Sequence, residues 1–102
     1  MFKKAKNKNE LDPPPISFDD PKSFEVVRVW ASTLVGQQFV INPVWKDPGA
    51  FGLLLADLVN HAANAYAKRD GIDRQVAIDR ILALFKAEME HPTDPYKELK
   101  SH

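Results

Sequence analysis

Cysteine is absent from this sequence of 102 residues, which excludes disulfides, a thiol nucleophile and a thiolate metal site. Long apolar runs are also missing, so we expect no membrane-spanning segment and no membrane partner. Fourteen basic residues balance fourteen acidic ones, and a chain without net charge is not drawn to nucleic acid. The basic residues 1–9 are followed by no apolar segment, so they do not form a secretory signal. We therefore expect a soluble, cytoplasmic protein.

Length and composition indicate one small domain with polar ends. Hydrophobic residues make up 44% and charged residues 27%, as in an ordinary globular protein. We predict a flexible, basic and proline-rich arm over residues 1–22, an α+β domain over 23–92 and a polar tail over 93–102. Three consecutive prolines at 13–15 favour an extended, polyproline-like stretch within the arm.

Two segments rich in β-branched and aromatic residues, 24–31 and 37–42, predict a β-hairpin. A four-residue loop, Thr33–Gly36, would leave Gly36 free to adopt a positive φ. The predicted register then pairs Trp30 with Phe39, Arg28 with Ile41 and Val29 with Val40. An odd loop length would instead pair Trp30 with Gln38 and mix apolar and polar residues on each face, so we prefer the even length.

The predicted register gives the hairpin two different faces. The face that we expect to meet the helices carries Phe24, Val26, Arg28, Trp30, Phe39 and Ile41. The other face carries Val27, Val29, Ala31 and Val40, together with Glu25, Gln38 and Asn42. This second face is half apolar, and a lone two-stranded hairpin is only marginally stable.

Two helices follow the hairpin. Asp47 is a suitable N-cap and Pro48 suits a first helical position, so the first helix runs from Gly49 to about Arg69 and ends before Gly71. Apolar residues at helical spacing predict a second helix from about Asp73 to before Pro92. The expected fold class is therefore α+β, an antiparallel hairpin followed by two antiparallel helices (ββαα), with the sheet completed by dimerisation.

Self-association is the main functional expectation. The apolar part of the first helix is wider than one sheet face needs, and the second hairpin face would lie open to water. A two-fold homodimer would cover both, with Val27, Val29 and Val40 as interface residues. The alternative is that the arm covers the hairpin through Ile16 and Phe18.

Five residues are candidates for ligand binding. Asp57 and His61 lie four residues apart on the first helix, where a carboxylate can orient an imidazole; the structural alternative is an ordinary pair on a wetted face. Arg28 would anchor an anion in a pocket walled by Trp30 and Phe39, or it would extend along the sheet margin towards water. Trp45 would either line that pocket or cap the core. No third catalytic partner and no complete ligand set is visible, so we predict no catalytic residues, metal or cofactor.

Several stretches resemble a known family. They are Gly36–Pro43, Trp45, Phe51–Leu58 and His61–Tyr66. Together they resemble a family of short, mostly proteobacterial proteins of unknown function, over residues 24 to about 92. The resemblance implies a compact accessory domain and assigns no catalytic residues.

Three functions stay open at this point. The first is a non-enzymatic, homodimeric binding or accessory module with an unidentified protein or small-molecule partner. The second is a small-ligand-binding or weakly catalytic domain with a pocket between hairpin and helices. The third, which the zero net charge disfavours, is a nucleic-acid accessory protein acting through the lysines of the arm.

Overall fold

The structure, a computed structural model, describes residues 7–93 of the chain. It has two compact units, the first ending at Asn42 and the second beginning at Pro43. In chain order the elements are α1 Ile16–Asp19, β1 Val27–Ser32, β2 Gly36–Ile41, α2 Gly49–Asp70 and α3 Arg74–Glu90. The α+β class, a hairpin followed by two helices, is therefore confirmed. Completion of the sheet by dimerisation and the domain boundaries at residues 22 and 92 stay predictions.

The single turn α1 lies inside the segment that we predicted as an arm. Pro15 has φ -52° and ψ -34°, so its backbone is already helical. Its carbonyl oxygen accepts hydrogen bonds from the N–H groups of Phe18 and Asp19. The expected extended conformation is therefore wrong at Pro15. Proline fixes only φ, at a value that a polyproline stretch and a first helical turn share, and the hydrogen bonds that follow decide ψ.

The hairpin has a different register from the predicted one. Val29 lies opposite Phe39 and Trp30 lies opposite Gln38. The loop is the three residues 33–35, which is the odd length that we rejected. None of the three predicted pairs forms: Trp30 with Phe39, Arg28 with Ile41, and Val29 with Val40. A shift of one residue moves every side chain of one strand to the other face, so the predicted faces are wrong as well.

The Ser32 side chain accounts for the shorter loop. Its Oγ accepts hydrogen bonds from the N–H groups of Leu34 at 3.0 Å and Val35 at 3.4 Å. Gly36 has the positive φ that we predicted, 80°, but it is the first residue of β2 and not part of the loop. Because the serine hydroxyl satisfies the N–H groups inside the turn, three residues suffice to reverse the chain.

The signals that bound α2 act as predicted. Asp47 Oδ1 accepts a hydrogen bond from the Gly49 N–H at 2.9 Å, and Pro48 has helical dihedral angles of -57° and -22°. At the other end Gly71 has φ 70°, and its N–H donates to the carbonyl of Ala67. A left-handed residue at this position ends the helix while still satisfying one of its last carbonyl groups.

The second unit is a helical hairpin in which α2 packs against α3. Its buried hydrophobic residues are small: Ala63 is 0% exposed and Ala77 is 7% exposed. Small side chains allow two helices to approach closely, but they remove little apolar area from water. Within residues 7–93, none of the helices combines the length and apolar character needed to cross a bilayer.

Glu88 binds the chain just after α3. Its carboxylate accepts hydrogen bonds from the Thr93 N–H at 2.6 Å and from the Thr93 hydroxyl at 2.8 Å. These bonds, the backbone one first, hold the pKa of Glu88 below its ordinary value, because they favour the charged carboxylate. The chain after α3 is thereby fixed to the last turns of the helix.

We predict that Gly71→Ala lowers the free energy of unfolding by about 1 to 2 kcal/mol, because a Cβ disfavours the left-handed conformation. Nothing lies within 4 Å of the added Cβ, so the cost comes from the backbone and not from a clash. Gly52→Ala is the matched control, since Gly52 lies inside α2 with equal open space. The control should raise stability by about 0.5 to 1 kcal/mol. Urea unfolding measures both, and a loss of stability in both variants would contradict the assignment.

We predict that Thr93→Pro, which lacks both the N–H and the hydroxyl, raises the pKa of Glu88 towards its ordinary value, and that Thr93→Ala raises it less. A lowered pKa in the folded state means that these bonds stabilise the fold at higher pH. That contribution is lost as the pH falls through the folded-state pKa. An NMR pH titration of the Glu88 carboxyl checks this, and an unchanged pKa in Thr93→Pro would refute it.

Candidate functional site

The observed register divides the hairpin into one apolar and one mixed face. Directly opposed residues share a face, and successive residues alternate between faces. The apolar face carries Val27, Val29, Ala31, Phe39 and Ile41, with Gln37 as its one polar residue opposite Ala31. The mixed face carries Arg28, Trp30, Gln38 and Val40. The apolar residues of both strands therefore gather on one side more completely than the predicted register allowed.

The apolar face is open to water. Val29 is 49% exposed, Phe39 is 48% exposed and Ile41 is 54% exposed. Every residue of β2 is exposed. Exposed apolar side chains gathered on one face are typical of surfaces that bind other molecules.

The predicted interface residues do not share one surface. Val27 and Val29 lie on the apolar face, whereas Val40 lies on the mixed face directly opposite Arg28. Val40 is 68% exposed, so it is accessible, but on the other side of the sheet. The interface prediction made from the sequence therefore combined residues that the structure separates. Phe39 and Ile41, which we had placed on the helix-facing side, join Val27 and Val29.

Arg28 is neutralised within the first unit. Its Nη2 donates to Glu25 Oε1 at 2.8 Å, and its Nη1 lies 3.6 Å from Glu10 Oε2. The hydrogen bond and charge of Glu25 raise the pKa of Arg28 above its ordinary value. The guanidinium thus uses carboxylates of its own unit, and its capacity to anchor an external anion is reduced.

Arg28 and Trp30 share an open cleft inside the first unit. The cleft has a volume of about 960 Å³ and lies between residues 9–17 and 23–31. Leu11, Ile16 and Phe24 give it apolar lining. The structure therefore brings together two of the five predicted ligand-binding residues. The other three, Trp45, Asp57 and His61, belong to the second unit.

Trp45 packs at the start of α2. Its ring meets the ring of Phe51 edge to face, with centroids 5.5 Å apart and planes at 71°. Aromatic pairs favour this geometry. This contact agrees with the capping role that we considered for Trp45.

Asp57 and His61 are both exposed on α2. Among the residues that the structure describes, neither makes a hydrogen bond to the other. The arrangement in which a carboxylate orients an imidazole is therefore not formed. Across residues 7–93, no group of three or more His, Cys, Asp or Glu side chains is placed to hold a metal ion.

Asn60 and Asn64 of α2 have a role that sequence reasoning missed. Arg74, the first residue of α3, donates from Nε to Asn64 Oδ1 at 2.7 Å and from Nη2 to Asn60 Oδ1 at 2.5 Å. The rigid, planar guanidinium presents separate donors to two acceptors one turn apart, whereas an ammonium group offers a single point of contact. The sequence held one signal for this bridge, an arginine just after the short connection between the helices. The two asparagines, close to Asp57 and His61 in sequence, thus join α2 to α3.

Comparison with known protein families shows which family the chain belongs to. Residues 10–93 match the family described as a domain of unknown function, DUF5076. The chain belongs to this family. The resemblance to a family of unknown function is therefore confirmed, and the match extends further towards the N terminus than residue 24. Curated proteins offer no match.

The DUF5076 chain is also similar to a solved structure. That protein comes from the photosynthetic bacterium Rhodopseudomonas palustrus and is named a "putative pyruvate dehydrogenase". The two are 28% identical, with a TM-score of 0.74, and the similarity covers 96% of this chain and 100% of the other. The fold is thus shared with a solved structure over that structure's full extent.

We predict that Arg74→Lys lowers the free energy of unfolding by about 1 kcal/mol, because lysine keeps the charge but loses the two-pronged bridge to Asn60 and Asn64. Arg80→Lys is the matched control, as Arg80 lies exposed on the same helix. Chemical denaturation of both variants measures the difference. An equal change in the two would show that the bridge contributes nothing.

Proposed function

We propose that this chain is a non-enzymatic binding module that works as a homodimer, with the hairpin as its self-association surface. The observation that carries the proposal is the amount of apolar side chain left in water. The buried hydrophobic residues of the described chain are two alanines, Ala63 and Ala77. Meanwhile Phe39 and Ile41, on the apolar face, are about half exposed.

Self-contact of the hairpin removes part of this apolar surface from water. A half-exposed large apolar side chain offers on the order of 80 Å², about half of what such a side chain buries in a core. On the apolar face of the hairpin, Val29, Phe39 and Ile41 are exposed to about this degree.

A second copy is the partner that the charges favour. The chain carries fourteen basic and fourteen acidic residues, so two copies meet without net repulsion. The strand β2 contains no charged residue at all, so its self-contact brings no like charges together. A partner of opposite charge has no corresponding feature to recognise on this strand.

The alternative of a ligand pocket has less support. Arg28 and Trp30 do share a cleft, but the arginine is already paired with Glu25 and Glu10. Within residues 7–93, Asp57 and His61 are exposed and form no hydrogen bond or ion pair that would prepare them for chemistry. The nucleic-acid alternative rests on Lys3, Lys4, Lys6 and Lys8, and of these only Lys8 lies among the described residues.

A cytoplasmic location belongs to the same proposal. Small exported domains commonly depend on disulfides, whereas this chain has no cysteine with which to form one. The apolar face would then be stabilised by association and not by covalent links.

The test is the mass of the full chain in solution, measured by light scattering across a range of concentrations. We expect twice the chain mass of 11.5 kDa. Phe39→Lys should raise the dissociation constant at least tenfold, about 1.4 kcal/mol, because it places a charge on the apolar face. Leu34→Lys is the matched control, because Leu34 is 92% exposed in the loop outside both strands, and it should leave the dimer intact.

Circular dichroism of both lysine variants checks that the hairpin and helices still form. A wild-type mass near 11.5 kDa at all concentrations would overturn the proposal. Equal weakening by the two variants would remove the apolar face from the interface.

A further inference from the structure

The hydrogen bonds of the hairpin show which backbone groups point away from it. The Asn42 N–H donates to the Val26 carbonyl at 2.8 Å, so these opposed residues form a hydrogen-bonded pair. Such pairs alternate with pairs that are not hydrogen-bonded along an antiparallel ladder. It follows that Gln38 and Val40 direct their N–H and C=O groups towards β1. The groups of Gln37, Phe39 and Ile41 point outward from β2.

The outward edge of β2 has none of the usual protection against pairing. Natural edge strands carry lysine, proline or inward charges that discourage a further strand. Residues 36–41 read Gly-Gln-Gln-Phe-Val-Ile, without charge and without proline. In contrast, β1 carries Arg28, with Glu25 bound to it and Glu10 close by. The two edges of the sheet are therefore unequal, and β2 presents the one open to a new strand.

We propose that two copies join edge to edge through β2, with the two-fold axis at Phe39, to form a four-stranded antiparallel sheet. This inference rests on the proposed homodimer and specifies its geometry. Phe39 lies opposite Phe39 of the second copy, and Gln37 lies opposite its Ile41. The three outward-pointing residues of each strand then form three hydrogen-bonded pairs, which supply about six main-chain hydrogen bonds.

The alternation of side chains selects this axis. An axis between two residues would place apolar residues of one copy beside mixed-face residues of the other. An axis at Gln38 keeps the faces matched but pairs only Gln37 and Phe39 of the outward-pointing residues, which gives about four hydrogen bonds. The axis at Phe39 uses all of them, places two phenylalanine rings side by side and continues the apolar face into the second copy, with Gln37 of each copy beside Ile41 of the other.

The edge contact is separate from any use of the sheet faces. Packing an apolar face against another surface leaves the N–H and C=O groups at the edge unpaired, and only a strand or water satisfies them. A second β2 is such a strand, and it meets the first without like charges in contact. A strand of a different protein is the competing occupant, and it would leave the pure chain monomeric.

The test uses cysteine cross-linking, for which the cysteine-free chain is well suited. With the axis at Phe39, Gln38 lies directly opposite Val40 of the second copy, at a Cα distance of about 4.5 Å. Two copies of Gln38 then lie diagonally, about 7 to 8 Å apart. Disulfides need Cα atoms within about 4.4 to 6.8 Å. An equimolar mixture of Gln38→Cys and Val40→Cys should therefore form a disulfide-linked heterodimer on mild oxidation.

Each single variant alone is the matched control and should yield several-fold less cross-linked dimer than the mixture on a non-reducing gel. Phe39 stays intact throughout. If Gln38→Cys alone cross-links best, the axis lies at Gln38 and the proposed register is wrong. If the wild-type chain is dimeric but the mixture does not cross-link, the edge contact is wrong while the homodimer stands. A monomeric wild-type chain overturns both.

Discussion

The ladder of hydrogen bonds between β1 and β2 determines the surface chemistry of the first unit. It places Val29 opposite Phe39, and that one alignment gathers the apolar residues of both strands on one face. The same alignment sends the backbone groups of alternate β2 residues outward. A shift of one residue would put Phe39 beside Trp30 and turn different N–H groups to the edge. The surface that we assign to self-association therefore depends on the three-residue loop that sets the alignment.

Local signals in the sequence were sufficient to place the helices. Asp47 followed by Pro48 predicted the start of α2, and Gly71 predicted its end, because capping depends on a few adjacent residues. The strands were also placed correctly to within a few residues. Their alignment was not, since it was decided by the hydroxyl of Ser32. Counting apolar residues on each face favoured the wrong loop length, because both faces of this hairpin are exposed and neither alignment is penalised by a polar residue in a core.

The candidate site was harder to predict than the fold, because it depends on contacts between distant residues. The bridge from Arg74 to Asn60 and Asn64 requires knowledge of how two helices meet, which spacing within one helix does not give. The contact of Arg28 with Glu10 was equally hidden, since the two residues lie far apart in sequence, unlike Arg28 and Glu25. Asp57 and His61 were candidates because of the chemistry of their side chains. A binding or catalytic site also needs other groups in contact with them, and the sequence does not show which residues lie nearby.

The unequal edges of the sheet have a consequence for how far assembly can proceed. In a symmetric pair the two β2 strands lie inside the sheet, and each remaining border is a β1 strand that carries Arg28 and its carboxylates. In a two-fold contact both copies use the same surface, so no copy of that surface stays free to bind a third chain. In the proposed dimer, growth into a fibre, the usual hazard of an uncharged edge strand, would therefore stop at two chains. In the proposed dimer the edge of β2, the strand most prone to polymerise, is already paired and is not accessible to a third chain.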